Sequence, residues 1–280
     1  MESIYYPQNL SAVLPQRKED SFKGTYGKVL VVAGSRNMCG AAYLAGKAAY
    51  RTGAGLVYIY TEECNRVILQ QLLPEAVLIT YDPKNWTPEP LADCLDSMTA
   101  IAAGCGLGTG AVKKEILKCI LAADHLPRVL DADALNILSL DDNLWELAGA
   151  PFIITPHIGE MSRLSSLSPA AIKSAPAKAA REFSAAHKVI TVLKDAKTVV
   201  SDGTDCSWNT CGNNGMATGG SGDVLAGIIG GLLAQKMPLF EAAKLGVHIH
   251  ALAGDAAAKE RGTYSMMAGD IIEHILYGVS

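Results

Sequence analysis

Residues 28–61 read KVLVVAGSRNMCGAAYLAGKAAYRTGAGLVYIYT, and the fold can be read outward from them. Lys28–Ala33 is a continuous apolar run ending at Gly34–Ser35, which suits a strand buried on both faces of a parallel sheet. Gly40–Thr52 is rich in alanine with helical spacing, and Leu56–Thr61 is a second strand-like run. Strand, glycine turn, helix, strand is the βαβ unit.

The same grammar recurs downstream. Ala76–Thr80 and Ala100–Ala103 are expected as short strands and Val112–Ala122 as a helix. Arg128–Asp131 reads as a strand followed by a helix from near Asp133, and Phe152–Thr155 as a strand ended by Pro156. Pro169–His187 is expected to be mostly helix and Val189–Lys194 a strand. Lys197–Ser201 looks like the second arm of a hairpin turning at Asp195–Ala196. Asp223–Gln235, Leu239–Arg261 and Gly269–Tyr277 complete the pattern as three helices. No composition shift, linker or fixed-period repeat divides the chain. The expectation is one α/β domain over residues 1–280, doubly wound, with a mostly parallel sheet and helices on both faces. A polar N-terminal extension, residues 1–23, is expected to drape over it. Ligands of such folds bind outside the carboxyl ends of the strands, and every unusual loop in this chain falls at one of those ends.

Composition narrows the class. Of 280 residues, 49% are hydrophobic and only 19% charged, which favours a large interior and excludes a disordered tail protein. A net charge of −4 with no basic run argues against nucleic acid as partner. The seven cysteines are scattered without a CxxC pair, as expected of reduced thiols in a cytoplasmic protein. Neither a signal peptide nor an apolar run long enough for a membrane span is evident.

The densest chemical signal is NNGMATGGSGD, residues 213–223, running straight into the apolar helix VLAGIIGGLLA. Glycines at a helix start let backbone N–H groups converge on an anion, and the helix terminus adds positive potential. Gly219, Gly220, Ser221 and Gly222 therefore form a candidate phosphate cradle. It is neither a Walker loop nor GxGxxG, for want of the lysine and of the spacing. Asp223, in the first turn, is either a helix cap or a base that takes the proton of a hydroxyl about to attack phosphorus. His157, after a Pro-bent strand end, is a candidate ligand contact. Asp131, Asp133 and Asn136 lie at another strand end, where aspartates also commonly cap turns. His248 and His250 point to different faces of a helix, cannot share a metal ion, and read with Asp255 as part of a packed helix.

The string GGSGDVLAG at 219–227 resembles the GxGD signature of the ribokinase-like superfamily. More specifically, the chain is similar to stand-alone ADP-dependent NAD(P)H-hydrate dehydratases, a family that repairs hydrated nicotinamide cofactors. Six blocks run in the family's order: GTYGKVLVVAGS at 24–35, GAAYLAGKAAYRTGAGLV at 40–57, AAGCGLG at 102–108, VLDADALN at 129–136, TPHIGEMSRL at 155–164 and NGMATGGSGDVLAG at 214–227. The resemblance implies a ribokinase-like fold. It implies substrate contacts at Ala41, at Gly104 or Gly106, at His157 and at Asp223, the last also catalytic. It further implies adenine-nucleotide contacts at Lys194, Asp195, Ala196, Lys197 and Thr198 and along Gly219–Gly222. Two departures stand out: Cys105 where the family usually has proline, and Asp195 where it usually has glycine.

The activity so implied is ADP-dependent dehydration of the S form of hydrated NADH or NADPH, releasing AMP and phosphate. ADP is the expected co-substrate and Mg²⁺ the expected cofactor, because phosphate oxygens beside Asp223 call for a hard cation. No metal ligand set is assigned; Glu160 is a secondary candidate. A cytoplasmic homotetramer and a separate epimerase complete the expectation, since the short N-terminus leaves no room for a fused one. The alternatives are a ribokinase-like kinase of a vitamin-precursor alcohol and a nucleotide sensor without chemistry.

Overall fold

The computed structural model of the chain describes residues 1–277. The opening βαβ unit is present as β2 (Lys28–Val32), α2 (Cys39–Arg51) and β3 (Leu56–Glu62). Val29 and Val31 enter one hydrophobic cluster while Leu30 and Val32 enter the other, and all four are fully buried. A strand with two buried faces has no polar side to show, which is why the run KVLVV lacks alternation.

Before this unit, β1 (Glu2–Ile4) and α1 (Leu10–Val13) occupy the N-terminal segment; after it come α3 (Arg66–Leu72), β4 (Val77–Tyr81), α4 (Glu89–Leu95), β5 (Ala100–Ala103) and α5 (Ala111–Ala122). Next are β6 (Arg128–Leu130), α6 (Asp133–Leu138), β7 (Ile153–Ile154), α7 (Ile158–Ser165), α8 (Pro169–Ser174), α9 (Pro176–His187) and β8 (Ile190–Leu193). The chain continues through β9 (Val199–Ser201), β10 (Cys206–Trp208), α10 (Ser221–Ala234), α11 (Leu239–Arg261) and α12 (Ala268–Glu273).

The strands form one sheet in the order β1-β10-β9-β8-β7-β6-β5-β2-β3-β4. β9 alone runs against its neighbours. β2 pairs with β3 on one side, Val29 opposite Val57, and with β5 on the other, Val29 opposite Ala100. The chain therefore leaves β2 in one direction and later returns on its far side, creating a crevice between the β2 and β5 loops. α2, α10, α11 and α12 cover one face, and α4 to α9 the other. The α2–α10 contact is intimate: a Cβ on Gly227 would sit 2.2 Å from the Ala45 carbonyl oxygen. Part of the glycine excess is thus a packing requirement, and it holds the start of α10 close to the sheet.

Several boundaries differ from expectation. The N-terminal extension does not merely drape over the domain: β1 joins the sheet in parallel with β10, Glu2 opposite Cys206. Three-residue edge strands carry too little periodicity to be seen in sequence. Residues 169–187 form two helices, because Pro176 forces Ala175 out of helical geometry, at φ −146° and ψ 62°. The hairpin after β8 is present, with its second arm at Val199–Ser201. α10 begins at Ser221, two residues before the expected start, and α12 ends at Glu273, with residues 274–277 in turns. All seven cysteines are free.

Candidate active site

The loops after β2 and β5 are hydrogen-bonded to each other across the crevice. The Gly34 N–H donates to the Cys105 carbonyl at 2.9 Å, and Gly104 N–H to the Val32 carbonyl at 3.0 Å. The Ser35 hydroxyl donates to the Gly106 carbonyl at 2.9 Å. Gly106 has φ +57°, and a Cβ there would lie 2.9 Å from the Ala41 Cβ at the start of α2. Ala41, Gly104 and Gly106 therefore belong to one wall, although 65 residues of sequence separate Ala41 from Gly106.

α10 points its N-terminus at this crevice. Gly220, in left-handed conformation at φ +89°, is its N-cap and makes no side-chain cap bond. Ser221 follows, and its Oγ lies 3.2 Å from His250 Nε2 on α11. Asp223 sits in the first turn but does not act as the cap. Burial, then the Asp131 charge, push its carboxyl up to about 6, against the opposing pull of Cys105 and Lys194. Desolvation and a like charge outweigh the helix dipole here. A carboxyl near 6 is still largely ionised at neutral pH and is a stronger base than an ordinary aspartate.

Beneath the loop lies a buried ion cluster. Lys194, at the end of β8, places Nζ 2.6 Å from Asp131 Oδ1 and 3.9 Å from Glu160 Oε2. Burial disfavours its charged form, but the Asp131 and Glu160 carboxylates prevail and hold its pKa above the usual value. A Cβ on Gly222 would lie 3.4 Å from Asp131 Oδ2 and 3.5 Å from Lys194 Nζ, so both charges face the start of α10. Lys194 thus parts company with Asp195, Ala196 and Lys197, which form an exposed turn. Asp195 uses its own carboxylate to accept the Ala196 N–H at 2.9 Å, and Thr198 donates to the Asp195 carbonyl. The acidic substitution in this loop is accommodated locally.

His157 is the N-cap of α7. Its Nδ1 accepts from the Gly159 and Glu160 N–H groups, so the neutral ring carries its proton on Nε2. Glu160 returns the contact by accepting the His157 N–H at 2.8 Å. This reciprocal cap occupies Glu160, the secondary metal candidate, while leaving the imidazole about half exposed. Backbone bridging places His157 beside Lys194 on neighbouring strand ends. Asp133 and Asn136 brace loops: Asp133 accepts the Gly108 N–H at 2.7 Å, and Asn136 bridges Asp133 to Arg163.

Sequence reasoning missed two supporting residues. His250 was expected only to pack in a helix; burial pushes its pKa down to about 4, and the neutral ring holds Ser221. Asp255 accepts the Gly212 N–H and the Asn213 amide, bracing the loop that leads to the glycines. The His248/His250 spacing did signal that the two rings face opposite ways, and His248 indeed packs under Tyr5 and Tyr6. Among the described residues, no group of three or more His, Cys, Asp or Glu side chains is arranged to hold a metal ion.

An open α/β sheet with a glycine-led helix terminus and a poised aspartate at its switch point is the ribokinase-like architecture. A ribokinase-like superfamily protein from Enterococcus faecalis matches it with a TM-score of 0.88 and 31% identity, over 98% of this chain and 94% of that one. The family model for NAD(P)H-hydrate dehydratase matches residues 29–276, and the chain belongs to that family. An ADP-dependent (S)-NAD(P)H-hydrate dehydratase from Neisseria meningitidis is 41% identical over 271 residues, covering 92% of this chain and 87% of the relative. An ADP/ATP-dependent NAD(P)H-hydrate dehydratase from Bacillus subtilis, crystallised with ATP and Mg²⁺, has a TM-score of 0.83 and 31% identity over 96% of this chain and 94% of that one. The chain spans about half the length of the bifunctional NAD(P)H-hydrate repair enzymes that it also matches.

Proposed function

We infer that the chain is an ADP-dependent (S)-NAD(P)H-hydrate dehydratase. The observation that carries this is Asp223, a carboxylate raised to about 6 in the first turn of a glycine-led helix and not used as a cap. The hydrated pyridine ring would lie against Ala41 and Gly106, within reach of Asp223. Asp223 takes the proton of the C6 hydroxyl as that oxygen attacks the terminal phosphorus of ADP, and AMP leaves. The N–H groups at the start of α10 and the Lys194 ammonium hold the transferring phosphoryl. Phosphate is then expelled from C6 while C5 gives up a proton, restoring the dihydropyridine.

Mg²⁺ fits this site as a nucleotide-borne ion, since it takes most ligands from water and phosphate and needs only one or two carboxylates. Asp131, whose Oδ2 lies 3.4 Å from the position of a Cβ on Gly222, is the side chain that would hold it. There it would shield phosphate charge from Asp223. The nucleotide's adenosine end belongs on the β8–β9 turn, residues 195–198. The half-exposed His157 ring, with Nε2 3.4 Å from Glu160 Oε1, is the side chain at this strand end that would contact the dinucleotide. A cytoplasmic homotetramer fed by an epimerase belongs to the same proposal; no helix among the described residues is long and apolar enough to cross a membrane.

The test is incubation with hydrated NADH or NADPH and ADP, following the near-ultraviolet absorbance of the reduced ring. Recovery of absorbance with release of AMP and phosphate is expected. Nucleotide consumption only with an added alcohol would make the chain a kinase instead.

A further inference from the structure

We propose that His250 is a positioning residue for phosphoryl transfer: its ring holds the Ser221 hydroxyl so that the hydroxyl proton points at the terminal phosphoryl of ADP. This rests on the dehydratase reading and adds to it a side-chain donor in the glycine loop and the group that aims it.

Ser221 opens α10, between left-handed Gly220 and Gly222. The helix does not use its hydroxyl. Gly220 is the N-cap, and among the described residues Ser221 Oγ makes one hydrogen bond, at 3.2 Å to His250 Nε2. A capping serine turns its oxygen onto the first N–H groups of its own helix. Here His250 draws that oxygen away, and the N–H groups stay open to an anion.

The ring is delivered by a rigid element. α11 packs on α10 so closely that a Cβ on Gly246 would lie 2.7 Å from Ile229 Cγ1. One turn beyond His250, a Cβ on Gly254 would collide with Met216 Sδ, and the adjacent Asp255 accepts the Gly212 N–H at 2.9 Å. One helix thus fixes both ends of the loop from 212 to 221. Burial pushes the His250 pKa down to about 4, against the pull of the Ser221 backbone, so at neutral pH the ring is uncharged and carries a single N–H. Nucleotide phosphate oxygens act there as acceptors. A hydroxyl that serves them must give them its own proton and accept its other bond, which the Nε2–H form of the imidazole supplies.

Position selects the terminal phosphoryl. A Cβ on Gly222, the next residue, would lie 3.5 Å from Lys194 Nζ, and the Lys194 charge is also felt at the His250 ring, where it opposes protonation. Asp223 follows in the same turn of α10. The phosphoryl beside Asp223 is the one being transferred, and AMP lacks it.

The experiment titrates ADP and AMP calorimetrically into the wild type, Ser221→Ala, His250→Leu, His250→Gln and the Ser221→Ala/His250→Leu double variant, and measures KM for ADP with hydrated NADH. Ser221→Ala should weaken ADP binding by about 10–100-fold and AMP binding by less than about threefold. His250→Leu should reproduce this pattern, and the double variant should lose no more than Ser221→Ala alone. His250→Gln, whose amide N–H replaces Nε2–H, should stay within about threefold of wild type. KM for ADP should follow the same order. Should His250→Leu not fold, His250→Asn, polar but too short to reach Ser221, takes its place. A ring that only packs would change stability without moving the ratio of ADP to AMP affinity. Equal losses for both nucleotides, losses that add in the double variant, or a glutamine variant as weak as the leucine one would overturn the proposal. The expected pattern in a protein that dehydrates neither hydrate would refute the activity and leave the positioning role standing; full dehydration with an unmoved ratio would do the reverse.

Discussion

Replacing Asp223 with asparagine should abolish most turnover and at the same time stabilise the fold at neutral pH. The carboxyl rises from 3.8 to about 6, because burial and Asp131 oppose its charge. At 1.36 kcal/mol per pH unit, keeping it ionised costs the folded state up to about 3 kcal/mol, and partial solvation of the site brings the expected range to about 1–3 kcal/mol. The sign follows from proton binding. Between about 4 and about 6 the folded protein holds this proton more tightly than the unfolded chain, so its contribution to stability is full at low pH and is lost as pH rises through 6. Asparagine has no such proton. The variant should therefore match the wild type near pH 4, gain on it through pH 6, and remain ahead above. Urea unfolding of both proteins across that range measures the gap, and absorbance recovery measures kcat, which should fall by about 10²–10⁴-fold. A stability gap independent of pH would refute the burial argument. Turnover above about a tenth of wild type would refute the base assignment, and Asp131, Asp133 and Glu160 would be the next candidates.

Three further outcomes follow from the geometry. Lys194→Met should weaken ADP binding by about ten- to a hundredfold in calorimetry and AMP binding by less, because AMP lacks the phosphoryl that Lys194 holds. It should also move the acid limb of the kcat profile to higher pH, because Lys194 is one of the groups holding Asp223 down. His157→Ala should cost about 1 kcal/mol of stability through the lost α7 cap, whereas His157→Asn should keep the cap; both should raise KM for the hydrate without changing AMP affinity, and a KM unchanged in the asparagine variant would confine His157 to capping. Gly106→Ala should cost about 1–3 kcal/mol in thermal unfolding, from its left-handed backbone and the close Ala41 Cβ, and should impair hydrate binding more than AMP binding.

Much of the fold was legible in residues 28–61 and their echoes, because a parallel strand covered on both sides must be apolar at every position. β2, β5 and the helices α2, α5 and α11 begin and end within a residue of expectation. The glycine-rich helix start and its aspartate were legible for a related reason: crowding backbone N–H groups around an anion admits few residue types. What the sequence by itself determined was thus the set of local pieces and the chemistry each could carry.

Only the tertiary structure decided which pieces meet. Nothing local to Asp131 shows that it lies 2.6 Å from Lys194, 63 residues away, or that the two face the start of α10. The Asp223 carboxyl rises because burial and Asp131, contributed by another loop, act on it together, and neither burial nor through-space charge is written in a helix cap. His250 looked like packing until α11 laid it against Ser221. β1 and β10 were invisible because Glu2–Ile4 and Cys206–Trp208 are short and, unlike β6 and β7, lie in no apolar run, and their pairing forms only once the sheet exists. Periodicity and backbone conformation act over a few residues and survive in the linear text. Desolvation and Coulomb interaction act across space, and they belong to the folded protein alone.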